Sequence, residues 1–279
     1  MKKLALIILA VLMAASLVAC SEEKADLTAI NDYTEPDYTQ NLADNTGTFT
    51  FAPTIGELAE ITNFVDRYYQ PRTITVPELV GEKGSERTVA KIGKDAFLYC
   101  TSLTGIVLPD TVTYIGDFAF AGCTALESIT IPAGVTHIGK GAFSGCTSLK
   151  EIKFEGTELE TIDAYAFNDC KALETITIPE GVVRIGDFTF NDCVALKSFT
   201  APSTILYFGE MAFNGCVALN EKDAIDLSKA VNVKSADDIG KFTFADINKN
   251  NIKVPEDAET VIAKYVSTMK DSKKTKSGN

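Results

Sequence analysis

The 279-residue chain carries 26 Lys and Arg against 38 Asp and Glu, a formal net charge of −12, with one histidine and no tryptophan. An acidic balance of this size argues against nucleic acid and anionic lipid surfaces as partners. It favours solubility without specifying a fold.

Lys2 and Lys3 followed by an apolar run from Leu4 to Ala15 have the layout of a secretory signal. The run is shorter than the roughly 20 apolar residues a spanning helix needs, and the chain turns acidic at Glu22 and Glu23. Leu17-Val18-Ala19-Cys20 resembles the bacterial lipobox. The resemblance implies that residues 1–19 are removed and that the Cys20 thiol carries a diacylglycerol, so that the membrane is a partner through an N-terminal lipid. Loss of Lys2 and Lys3 leaves 24 basic against 38 acidic residues, a mature charge of −14. Residues 20–50 read as a lipidated flexible tether spanning about 30 Å root-mean-square.

Residues 51–71 are expected to cap the N-terminal end of the fold. Thr54-Ile55-Gly56-Glu57 has the spacing of a capping box, and Leu58, Ile61, Val65 and Tyr68 follow at helical intervals, which predicts a helical lid. Residues 72–255 are dominated by a repeat. From Ile92 the chain reads IGKDAFLYCTSLTGIVLPDTVTY, and it begins again at Ile115 and Ile138. Phe97, Phe120, Phe143, Phe167, Phe190 and Phe213 mark one position of the unit, and Leu103, Leu126, Leu149, Leu173, Leu196 and Leu219 another. A unit of about 23 residues cannot bury its own apolar face, so the copies must stack into a solenoid.

Within a coil, Leu126, Ile129 and Ile131 before Pro132 predict one strand of a parallel sheet, with proline marking its exit. A second apolar pair such as Val112 and Ile115 predicts a short strand, Gly116 a tight turn, and Ala-Phe-x-x-Cys a short helical turn under the sheet. Asp163, Glu155 and Thr189 depart from the pattern, and an extra residue between Cys146 and Cys170 predicts a bulge. Ile74 to Ile92 read as a degenerate first coil with a loop at 78–88, and Ile239-Gly240 with Phe244 as an incomplete seventh after an insertion near 220–238. Residues 256–270 are predicted to form a capping helix with Ala258, Ile262, Tyr265 and Met269 on one face, and 271–279 a disordered tail.

The register of Ile-Gly, Ala-Phe, Cys, Leu and Pro resembles the BspA-type leucine-rich repeat of bacterial surface proteins. It implies a leucine-rich-repeat solenoid of parallel short strands and helical turns, with helical caps at both ends. It also implies a cell-surface, adhesion-type binding module for a protein or glycan of a host or neighbouring cell.

Cys100, Cys123, Cys146, Cys170, Cys193 and Cys216 recur at 23 or 24 residues, one per coil. That spacing lacks the close pairs of a metal site. Disulfides between neighbouring coils compete with the favoured reading, a ladder of reduced thiols acting as small buried hydrophobes. His137, the one histidine, sits at a variable position and reads as solvated. No catalytic or cofactor motif is found, so an enzyme is not expected, no cofactor or metal is implied, and a monomer is expected.

If the solenoid binds, the outward face of its longer strands is the expected place: Thr75, Gly105 and Val107, Ser128 and Thr130, Glu151 and Lys153, Thr175 and Thr177, Ser198 and Thr200. These residues are mostly small and hydroxylic, which also suits a face that merely stays dissolved. A spacer of the cell envelope without a specific ligand is therefore the competing reading.

Overall fold

The structure, a computed structural model, describes residues 38–41, 47–66, 70–244 and 247–269, with residues 38–41 and 66 described by backbone alone. Cys20, Tyr68 and residues 271–279 lie outside them.

The repeats form a solenoid in which each coil contributes to two sheets. One sheet is a run of two-residue strands, β8 (Tyr114–Ile115), β10 (His137–Ile138), β12 (Thr161–Ile162), β14 (Arg184–Ile185) and β16 (Tyr207–Phe208), joined in parallel to the longer β6 (Arg87–Ile92). The longer strands of the repeat make the other face: β4 (Arg72–Thr75), β7 (Leu103–Val107), β9 (Ser128–Ile131) and β11 (Glu151–Phe154) in one group. The second group is β13 (Thr175–Thr177), β15 (Ser198–Thr200), β17 (Ile225–Asp226) and β18 (Ile252–Lys253). The face expected to be continuous is thus two four-stranded sheets. The break falls between β11 and β13, in the coil lengthened by one residue, where a parallel ladder cannot absorb the extra residue without losing register.

Prolines end the long strands as expected and then open a turn, with the amides of Val112, Val135 and Val182 donating to the carbonyls of Pro109, Pro132 and Pro179. Between the sheets runs the phenylalanine column. Phe97, Phe120, Phe143, Phe167, Phe190, Phe213 and Phe244 stack face to face at centroid distances of 4.9–5.6 Å, all essentially inaccessible to water. Phe244 extends the stack into the seventh coil, and Phe208 bridges to Ile239 in parallel.

One local expectation is corrected, and another gains a different physical cause. The Ala-Phe-x-x-Cys segment is not helical. It is a chain of tight turns whose alternate amides leave the coil: those of Asp95, Phe97 and Tyr99 donate to the carbonyls of Asp117, Ala119 and Ala121, while those of Leu98 and Cys100 close three-residue turns on Asp95 and Phe97. This arrangement stacks coils by hydrogen bonds that an α-helix would consume internally. The Ile-Gly glycine opens the expected tight turn, with the Ala119 amide donating to the Gly116 carbonyl, but its lack of a side chain is demanded by the neighbouring coil. A Cβ on Gly116, Gly139, Gly186, Gly209 or Gly240 would lie 2.2–2.7 Å from atoms of the preceding coil's main chain, so glycine is required for close approach.

At the N-terminal end the predicted helix is replaced by a hairpin of β2 (Gly47–Pro53) and β3 (Leu58–Asp66), with β1 (Tyr38–Asn41) antiparallel to β2 and β3 parallel to β6. The expected tether at 20–50 therefore contains strand from Tyr38 to Asn41 and from Gly47 onward. The pairing of β2 with β3 skips Thr62, so burial passes from Ala59 and Ile61 to Phe64. That spacing of two and then three residues imitates helical periodicity. The supposed capping box is the hairpin loop, with Gly56 at φ 75° and Ile55 93% exposed. Phe49 and Phe64 close the phenylalanine column from this side, with Phe64 5.5 Å from Phe97.

At the other end helix α1 (Val261–Thr268) is capped by Thr260, whose hydroxyl accepts from the Ala263 amide. Ile262, Ala263 and Val266 form its buried face, whereas Ala258 precedes it and is exposed. The loop at 78–88 is itself a small hairpin, β5 (Leu79–Val80) pairing antiparallel with β6.

Candidate interaction surface

The long-strand residues singled out from sequence point outward. Thr75, Val107, Ser128, Glu151, Lys153, Thr175 and Thr177 are exposed, and Thr130, Ser198 and Thr200 are half-buried. The ladder pairs Ser128 with Glu151, Thr130 with Lys153, Thr175 with Ser198 and Thr177 with Thr200. A shallow groove of about 450 Å³ lies over Gly105, bordered by Thr73, Val107, Ser128 and Thr130. Exposed pairs decorate its surroundings, Lys150 with Glu127 at 3.0 Å and Lys153 with Glu155 at 3.2 Å. Such pairs contribute on the order of 0–1 kcal/mol each. This face carries none of the aromatic or arginine anchors that dominate tight interfaces.

The anchors stand on the short-strand side. The residue preceding the buried isoleucine or phenylalanine of each coil is Lys91, Tyr114, His137, Thr161, Arg184 and Tyr207, and the parallel register places them in one column. Lys91 Nζ lies 5.6 Å from the Tyr114 ring centre, Tyr114 stacks on His137 at 4.9 Å, and the Arg184 guanidinium lies 4.3 Å over Tyr207. His137 Nε2 is 3.2 Å from Asp163 Oδ2, so the histidine is engaged rather than simply solvated. Burial, with Asp117, Asp163 and Glu60 nearby, holds the Tyr114 hydroxyl above its ordinary pKa. Beside this column Asp117 and Asp187 accept from the Lys140 and Glu210 amides one coil on, each at 2.8 Å.

A further column is formed by Asp95, Phe118, Gly141, Tyr165, Phe188, Met211 and Phe242, every one left-handed with φ between 50° and 61°. The conformation costs a bulky residue on the order of 1–3 kcal/mol and persists only where the surroundings over-determine it. Here they do: the amides of Phe118, Tyr165, Phe188 and Met211 are held by Lys140, Asp187, Glu210 and Lys241 carbonyls of the next coil. Glycine would meet the same backbone demand without strain, as Gly141 does. The aromatic side chains are therefore not required by the turn. Tyr165 and Phe188 stack at 4.9 Å, and a Cβ on Gly141 would strike the Phe118 ring at 2.5 Å. Tyr165 is 37% and Phe242 57% exposed. The signal for this column was present in the sequence as a bulky apolar residue two before each core phenylalanine. It passed for a variable position because Asp95 and Gly141 interrupt it.

The six repeat cysteines are buried thiols with no disulfide among them. Each thiol from Cys123 to Cys216 donates to the carbonyl of the preceding coil's phenylalanine, at 3.0–3.3 Å. Burial pushes the Cys146 and Cys216 thiols up to about 12 and those of Cys170 and Cys193 well above the ordinary thiol range. Nucleophilic or metal-ligating use of the column is disfavoured, since both need the thiolate. Among the described residues no group of His, Cys, Asp and Glu is arranged to hold a metal ion.

Residues 90–220 match the BspA-type leucine-rich repeat region in six copies. The chain is a leucine-rich repeat protein, and its residues 90–220 carry the BspA-type repeat. Its fold is shared with a leucine-rich repeat protein from Bacteroides ovatus, at 31% identity and a TM-score of 0.63, over 81% of this chain and 53% of that one. A T. pallidum leucine-rich repeat protein is 30% identical with a TM-score of 0.57, covering 65% of this chain and 81% of its own. A leucine-rich cell surface protein from Faecalibacterium prausnitzii is 27% identical with a TM-score of 0.55, over 77% and 58%. The leucine-rich repeat chain thus spans about half the length of the first of these relatives. No curated protein matches it. Among the described residues no helix is long and apolar enough to cross a membrane.

Proposed function

We propose that this protein is a non-enzymatic recognition module of the cell surface, exported, lipid-anchored through Cys20, and used to attach to a protein or glycan of a host or neighbouring cell. The observation that carries this reading is the paired columns on the short-strand side. Rings and cations stand one coil apart on a rigid ladder, and the left-handed column bears strained aromatic residues that the backbone does not need. Burial of aromatic rings at an interface is a large source of binding energy, whereas the long-strand face offers little. The likeness to the F. prausnitzii cell surface protein supports the location.

The test compares attachment of the mature protein to panels of immobilised extracellular proteins and glycans with that of two variants. Phe118→Asn, Tyr165→Asn and Phe188→Asn together keep residues that tolerate the left-handed region. Thr130→Ala, Thr177→Ala and Thr200→Ala alter the long-strand face. Loss of attachment in the first variant alone, with unchanged circular dichroism, is expected. Equal attachment by all three proteins, or none by any, would sink the proposal. Intact-mass spectrometry of protein extracted from its native membrane tests the anchor: the expected mass lacks residues 1–19 and includes acyl chains.

A further inference from the structure

The charged and aromatic column ends at a cleft. Beyond Tyr207 the register leads to Asp238, but this carboxylate turns away to accept from the Lys234 and Ser235 amides in the capping box of the short helical turn Ala236–Asp238. Arg184 covers one side of the Tyr207 ring. Past Tyr207 there is a cleft of about 430 Å³, bordered by Asp187, Glu210, Asp237, Lys241 and, from the capping helix, Tyr265. We propose that this cleft receives a basic side chain, a lysine or arginine presented by a partner polypeptide, which lies against Tyr207 and pairs with Glu210 and Asp237.

Three observations select that occupant. The column itself stacks cations on tyrosines in the coils before it, Lys91 on Tyr114 and Arg184 on Tyr207, so a cation beyond Tyr207 continues an arrangement the fold already uses. The lining is also complementary in charge. Asp187, Glu210 and Asp237 face a single Lys241, and among the described residues the Glu210 and Asp237 carboxylates have no partner. One Asp187 oxygen is already occupied by the Glu210 amide. An anionic ligand would meet net repulsion. Finally, the carboxylates do not form a metal-holding group, so a positive charge delivered on a long flexible side chain, with an apolar stem to lie against Tyr207 and Tyr265, fits better than a bare ion. The overall charge of −12 would steer basic partners toward the molecule. Lys241 shares the rim and acts as an internal competitor.

The inference rests on the recognition reading only in taking the partner to be a polypeptide. Its test is amide NMR on the full mature chain, titrated with Nα-acetyl-arginine amide and Nα-acetyl-lysine amide, and with Nα-acetyl-citrulline amide as the neutral isostere of arginine. Saturable shifts at Gly240 and Lys241 are expected for both cations and absent for citrulline, with a dissociation constant in the millimolar range suited to one ring contact and one or two exposed charge pairs. The surface variant Glu210→Gln with Asp237→Asn should weaken binding about tenfold while its spectrum shows an intact fold. Lys241→Gln should strengthen it. No saturable shift at the cleft, equal binding of citrulline, or weaker binding in Lys241→Gln would overturn the proposal. Should that happen while attachment still depends on Phe118, Tyr165 and Phe188, the cation receptor falls and the recognition reading stands.

Discussion

Gly209→Ala is the sharpest test of how the coils are held together. The added Cβ would stand 2.2 Å from the Gly186 carbonyl carbon and 2.3 Å from the Asp187 nitrogen, both main-chain atoms that no rotamer change can move. Carbon atoms prefer about 3.5–4.0 Å, so the coils must part by more than 1 Å at this point. The Gly209 amide bond to the Ile185 carbonyl, at 2.8 Å, and the Thr243 hydroxyl bond to the Gly209 carbonyl, at 2.7 Å, lie in the same place and would stretch with it. Overpacking of about 1–3 kcal/mol and a weakened buried hydrogen bond of about 1 kcal/mol give an expected loss of roughly 2–4 kcal/mol. Gly145→Asn is the control. Gly145 has φ 74° and open space, with its nearest atoms 3.7 Å away at Gly122. Tyr99, Asp169 and Asp192 hold the same left-handed position in other coils. A cost of about 1 kcal/mol or less is expected there, since asparagine visits this region routinely. Urea unfolding followed by far-ultraviolet circular dichroism measures both, with unchanged slopes required for a fair comparison. If Gly145→Asn costs as much as Gly209→Ala, turn conformation governs these glycines and the close-approach argument is refuted.

Phe143→Ala removes the middle ring of the stack, 5.2 Å from Phe120 and 5.4 Å from Phe167, and should cost about 3–5 kcal/mol in the same melts; a surface-like loss would mean the column is not the core. The thiols supply a pH signature. Burial holds Cys146 and Cys216 at about 12, above the thiols of the unfolded chain, so they favour folding while protonated and that contribution is lost as pH rises past the ordinary thiol value of about 8.5 toward 12. Denaturation midpoints should fall over that window, and Cys146→Ala should flatten the fall; an unchanged slope would exclude the thiol as its source. Below the window the native thiols should resist iodoacetamide until the chain unfolds, as read by mass spectrometry. Asn191 donates to Asn168 at 2.8 Å and accepts from Asn214 at 2.6 Å. Asn191→Ala should destabilise by about 1 kcal/mol, and a double-mutant cycle with Asn214→Ala should show coupling between them.

Repetition made most of the fold legible. The recurrence of phenylalanine, leucine and cysteine at 23 or 24 residues specifies stacked coils, because side chains at equivalent positions can be buried only by one another. The short strand at Tyr114–Ile115 and the extra residue that divides the long-strand face follow from the same register. The N-terminal hairpin was not legible because the bulge at Thr62 shifts burial from Ile61 to Phe64, and local spacing cannot distinguish that shift from a helical turn. The columns on the short-strand side were not legible at all. Alternation in strands such as Ser128–Ile131 identifies outward residues, and all eleven of those named are exposed or half-buried. It says nothing of the short strands, whose two residues hold too little alternation to assign a face.

By itself, then, the sequence determined the coil, its core columns and the need for caps, since these follow from composition repeated at a fixed interval. Only the tertiary structure decided what lies between coils. The glycine column is set by main-chain contacts 23 residues apart, and the left-handed aromatic column by amides bonded to the next coil. The cleft beyond Tyr207 requires the capping helix and the turn at Ala236–Asp238 to arrive beside Glu210. Those relations depend on distances between residues remote in the chain, which periodicity orders but does not measure.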